Sequence, residues 1–176
     1  MLNYQKISFK ISKVIMFSLL FLISCQEGLR PLIENSTDIK AKLTGRIIYK
    51  GGVEKFPDST KCFGIYVVAF KKFPKDSASI LYEILSGNAY LKYESLPYPA
   101  DSSDFSLEIA DPPVTIEYLV VAMQSDSLNI EAQRAIGVYT ETGDNTKPSI
   151  ITILPRDSIF VTINVDFDNL PPQPFK

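Results

Sequence analysis

The chain has 176 residues, 18 of them basic and 20 acidic, and it contains no histidine. Without imidazole there is no Ser-His-Asp or Cys-His catalysis and no usual zinc ligand, and a net charge of -2 is not the basic footprint of a nucleic-acid binder. The length suits one domain able to bury a core of its own behind a short leader.

Lys6, Lys10 and Lys13 lie in an opening stretch without acidic residues, followed by the apolar run Val14 to Ile23. A bilayer core needs about 20 apolar residues at a helical rise, and this run is roughly half as long, so it predicts a leader more than a spanning helix. Its end, Leu22-Ile23-Ser24-Cys25, resembles a bacterial lipoprotein signal, in which a small residue precedes a cysteine that is lipidated before cleavage. The resemblance implies a signal peptide over 1–24 and acyl chains on Cys25, which together hold a protein on a membrane almost permanently. Attachment then asks for no membrane-binding surface in the domain itself. An ordinary cleaved signal and a short uncleaved anchor are the alternatives. Gln26, in place of the aspartate that favours inner-membrane retention in enteric-type sorting, leans towards the outer membrane. Loss of the leader would remove three lysines and leave a chain of charge about -5.

From residue 25 to 40 the lipidated cysteine is expected to lead into a polar tether with no sustained period. Asn35-Ser36-Thr37 matches a glycosylation sequence, which in a bacterial lipoprotein is read as accidental. Lys42 to Lys50 alternates, with Leu43, Gly45, Ile47 and Tyr49 on one face, and predicts a half-buried strand ended by Gly51-Gly52. Cys62 to Phe70 is apolar on both faces, as in the middle of a packed sheet. Cys62 is read there as a small buried hydrophobe, because Cys25 is committed to lipid and no basic cluster activates the thiol.

Ser79 to Leu85 fits either a short helix or a strand. Ala89 to Glu94 predicts an edge strand. Phe105, Leu107 and Ile109 alternate with polar residues, Asp111-Pro112-Pro113 turns the chain, and Val114 to Gln124 reads as a strand running through the core. A helical turn is expected around Asn129 to Gln133. Strands follow at Ala135 to Thr140, Ser149 to Leu154 and Ile159 to Phe167, before the prolines of the 171–176 tail. About seven to eight short strands with little helix predict an all-β, antiparallel two-sheet sandwich over 41–170.

Leu43-Thr44-Gly45-Arg46-Ile47, Tyr66-Val67-Val68-Ala69-Phe70, and the stretch from Phe105 through Asp111-Pro112-Pro113 to Ala122 give the chain an order of pieces that resembles the transthyretin-like sandwiches. These include the carboxypeptidase regulatory-like domains of exported bacterial proteins. In such domains a proline-glycine turn commonly precedes the tyrosine-bearing strand, whereas Val114 follows Pro113 here. Other immunoglobulin-like strand orders fit the same periodicity. The ring-hydrolysing enzymes of transthyretin-like architecture depend on histidines, so the resemblance implies no such activity.

No catalytic residue, cofactor or metal site is expected. Asp101, Asp104, Asp126, Glu141, Asp144, Asp166 and Asp168 offer oxygen ligands in principle, but at no calcium-loop spacing. Tyr90, Tyr93 and Tyr98, with Pro97 and Pro99, are the surface candidates, since exposed tyrosines stack on sugars or anchor a partner. The expectation is a noncatalytic, lipid-anchored envelope protein with an interaction or structural module. Its partners would be the membrane and an envelope protein or glycan, not nucleic acid. The alternative is a carbohydrate- or peptide-binding lipoprotein that uses the three tyrosines.

Overall fold

The computed structural model describes residues 39–126 and 132–174. The leader, Cys25, the tether to residue 38 and most of the turn expected near Asn129 lie outside the described residues. Residues 38–176 form a compact unit by themselves, an all-β sandwich with one α-helix among the described residues.

One sheet is built on β1 (Ala41–Tyr49), flanked by β4 (Ser102–Ile109) and β9 (Ser158–Val165). All three strands alternate because one face meets the core and the other meets water: Leu43, Ile47, Leu107, Ile109, Ile163 and Val165 are buried. The β1–β4 pair is antiparallel, placing Gly45 opposite Phe105, while β1 and β9 run parallel, with Gly45 opposite Val161. Every other strand pair among the described residues is antiparallel.

The second sheet has the order β3 (Ala89–Leu91), β2 (Gly64–Phe70), β6 (Tyr118–Gln124), β7 (Gln133–Val138). The run from Val114 to Gln124 is divided between two sheets. Glu117 donates its N–H to the Phe70 carbonyl at 3.0 Å, and the residues before it peel away as β5 (Val114–Ile116) to pair with β8 (Ile151–Ile153). This division brings the strands described to nine.

The main core fills the space between the sheets, and a second cluster explains why β2 and β6 are apolar on both faces. Val68, Phe70, Tyr118, Val120, Ala135 and Val138 point outward from the second sheet, packed by Ile80, Ile84, Ala89 and Leu91. The isoleucines belong to α1 (Ser77–Leu85), so the segment compatible with helix or strand is a helix. Asp76 starts it with a capping box: its carboxylate accepts from the Ser79 N–H at 2.7 Å, and its own N–H donates to the Ser79 hydroxyl at 3.2 Å. Ile80 and Ile84, four apart, face the sheet, and their partial burial contributes about 1 kcal/mol each.

At the far edge, β7 comes close to β9. A Cβ on Gly137 would lie 2.8 Å from a Val165 methyl and 3.2 Å from the Asn164 carbonyl, so the approach needs glycine. The remaining edge of β7 is closed by a side chain. Gln173 accepts from the Ala135 N–H at 2.9 Å and donates to the Ala135 carbonyl at 3.1 Å, imitating one rung of a ladder.

Candidate functional site

The sandwich has two seams, where an edge strand of one sheet faces an edge strand of the other, and each seam carries a concavity. The first, about 640 Å³, lies between β3 and β4 and is lined by Tyr90, Leu91, Lys92, Tyr93, Ser106 and Glu108, with Ile84 of α1 at one end. The second, about 500 Å³, lies beside β7 and β9 under the loops that follow them.

The structure brings two of the three tyrosines to the first groove and places the third elsewhere. Alternation decides this: Tyr90 pairs with Ala69 and turns its ring inward, whereas Tyr93, beyond the strand, is 80% exposed. The Tyr90 hydroxyl donates to Asp111, whose other oxygen sits 2.8 Å from the Lys71 ammonium, and that ammonium lies 5.0 Å above the Tyr90 ring. Burial and the adjacent carboxylate push the Tyr90 phenol upward, while Lys71 and the phenol together hold Asp111 below the usual carboxylate range. Tyr98 packs against the main core, with its hydroxyl donating to the Cys62 carbonyl at 3.0 Å. Tyr93 therefore offers the groove's free aromatic face, Tyr90 forms a fixed wall, and Tyr98 props the strand entrance at Cys62.

The second concavity has a polar rim over an apolar floor of Ile48, Ile136, Val138 and Pro171. Lys50 pairs with Asp166 at 2.7 Å, and Asn145 donates to the Asn169 carbonyl at 3.0 Å, tying the 140–149 loop to the segment after β9. Thr162 and Asn164 rise from the outer face of β9. Asp144 accepts from the Thr146 hydroxyl at 2.6 Å and lies 3.1 Å from Lys147, holding its carboxyl down at about 2. Thr162 and Asn164 lie on the exposed face of the alternating strand β9. Only the loops folding back over that face make it concave, and no local signal in the sequence marks this.

The other candidate acids are dispersed. Asp104 is paired with Arg46 at 2.7 Å, Asp168 with Lys55 at 2.7 Å, and Asp101 accepts from the Val53 N–H at 3.3 Å. Among the described residues no three His, Cys, Asp or Glu side chains come together to hold a metal ion. Cys62 is buried, and burial pushes its thiol upward, away from the reactive thiolate. Comparison with known proteins finds no family model, no curated protein and no solved structure that matches this chain.

Proposed function

We propose that this is a noncatalytic, lipid-anchored protein of the bacterial cell envelope, more at home on the outer membrane, whose sandwich acts as an interaction or structural module. The observation that carries the reading is the junction at Leu22-Ile23-Ser24-Cys25: a basic, apolar leader ends at a cysteine, about 16 residues before a domain that begins at Ala41 and closes its own core. The direction of the displaced proton affinities supports the noncatalytic part. Asp104, Asp111, Asp144 and Asp166 are displaced downward, and the Cys62 thiol and the Tyr90 and Tyr118 phenols upward, so each moves away from the neutral range in which a general acid or base works. The transthyretin-like and carboxypeptidase regulatory-like resemblance belongs to the same proposal, with its pieces lying in β1, β2 and β4 to β6.

Mass spectrometry of the chain from bacterial membranes tests the anchor. The expected product begins at Cys25 with acyl chains on its sulfur, and Cys25→Ser releases the chain from the membrane fraction. An unmodified sulfur with the leader still attached would refute the proposal. A second reading, a peptide- or carbohydrate-binding lipoprotein, is favoured by Tyr93 standing free in a groove beside the edge strand β4.

A further inference from the structure

At the second seam the charged groups pair with one another. Lys50 meets Asp166 at 2.7 Å, Lys147 meets Asp144 at 3.1 Å, and on the neighbouring face of β1 Arg46 meets Asp104 at 2.7 Å. The groups left without a partner among the described residues are uncharged: the Thr162 hydroxyl and the side-chain amides of Asn164 and Asn169, all exposed and all lining the concavity. Each of these side chains both donates and accepts. Their surroundings are held in place, because the Asn169 N–H donates to the Asp166 carbonyl at 3.0 Å and the Asn145 amide to the Asn169 carbonyl at 3.0 Å. Along β9 the same outer face carries Phe160, 65% exposed, two residues before Thr162 and four before Asn164, so ring and amide stand about 13 Å apart in one row. Across the ladder Ile48, opposite Asn164, adds exposed aliphatic surface.

We propose that the outer face of β9, from the concavity at Asn164 to Phe160, binds a neutral oligosaccharide. The proposal rests on the reading of the sandwich as an interaction module and names its ligand class, at the other seam from Tyr93. A sugar carries hydroxyls that donate and accept at once, which threonine and asparagine match, and it carries faces of C–H groups that stack on Phe160 and cover Ile48. Charge argues against a phosphate, carboxylate or amine, which would meet no opposite charge here that is not already paired. The backbone argues against an extended peptide, which takes its affinity from the N–H and C=O groups of a strand edge. At this seam β9 is laddered to β1 on one side and approached at Asn164 by Gly137 of β7 on the other, and Gln173 fills the rung at Ala135. Side chains are therefore what the site offers, and they are neutral.

The test uses residues 38–176, which form a compact unit and carry no acyl chain, so the outcome is independent of what happens at Cys25. The probes are neutral hexasaccharides of glucose, xylose and mannose, with a galacturonate hexamer and a mixture of random hexapeptides as controls, followed by NMR and isothermal titration. Binding of at least one neutral saccharide is expected, with amide shifts centred on β9 and the 140–149 loop and little change on raising the salt. Asn164→Ala and Phe160→Ala should each weaken it about tenfold, at an unchanged melting temperature because both side chains are exposed, while Tyr93→Ala leaves it unaltered. Failure of every neutral saccharide to bind, binding of galacturonate or peptide alone, or a loss in Tyr93→Ala with Asn164→Ala unaffected would overturn the proposal. None of these results touches the reading of Cys25 as the anchor, which its own mass spectrum decides.

Discussion

Gly45 is the position at which the three-stranded sheet can least accept a side chain. It lies on the buried face of β1 between β4 and β9, and a Cβ there would stand 2.5 Å from the Val161 carbonyl oxygen and 2.6 Å from the edge of the Phe105 ring. The two obstacles differ in kind. The Phe105 ring can rotate, but the carbonyl belongs to a strand paired with β1 from Lys42 to Tyr49 and can retreat only by opening that ladder. Gly45→Ala should therefore cost at least ~3 kcal/mol, at the upper end for overpacking. In a domain of this size that corresponds to a fall of about 6–12 °C in melting temperature. Urea unfolding of residues 38–176 should show a lower midpoint with unchanged slope. The double variant Gly45→Ala/Phe105→Leu separates the obstacles: removal of the ring should recover only a minor share of the loss. A single-variant cost below about 1 kcal/mol, or a double variant as stable as Phe105→Leu alone, would refute the reasoning.

Gln173→Ala should cost about 1 kcal/mol, and the Ala135 amide should exchange with solvent markedly faster while amides in β2 do not change. NMR titration of Asp144 should give a midpoint near its folded value of about 2, against an ordinary 3.8. Because the folded value is the lower one, the stabilisation it contributes is present above pH ~4 and disappears on acidification towards pH 2. Thr146→Val should raise the Asp144 midpoint, since the hydroxyl hydrogen bond is the largest cause of the shift; an unmoved midpoint would exclude it. In residues 38–176 the thiol of Cys62 should react with iodoacetamide at pH 8 only slowly and accelerate on adding urea. Rapid labelling of the folded domain would contradict its burial.

How much of this fold was legible followed from which faces meet water. β1, β4 and β9 each bury one face only, so polar and apolar residues alternate, and that period reads directly from Leu43-Thr44-Gly45-Arg46-Ile47 or Phe105-Ser106-Leu107. The helix resisted the same treatment because Leu81 and Leu85 add a second apolar stripe to that of Ile80 and Ile84, blurring the helical period over only nine residues. The break at Glu117 shows only as a change of period, from the alternating Val114-Thr115-Ile116-Glu117 to the wholly apolar run from Tyr118, which fits one strand entering the core as well as two strands in different sheets. Strand partners are not written in periodicity at all, and so the parallel β1–β9 pair could not be foreseen. For the tyrosines, nearness in sequence suggested one surface. The alternation that turns Tyr90 inward, and the loop that carries Tyr98 to Cys62, divide them.

The parallel union of β1 with β9 has a consequence for how such a chain is made. Among the described strands β1 comes first in the chain yet lies mid-sheet, and its second neighbour, β9, comes last. The three-stranded layer therefore cannot assemble step by step as the chain emerges, and β1 must wait with one edge bare until β9 is available. A product truncated before Ser158 would keep that template exposed and become a target for proteases or for stray strand pairing. Emergence of β9 and closure of the sheet thus become nearly the same event.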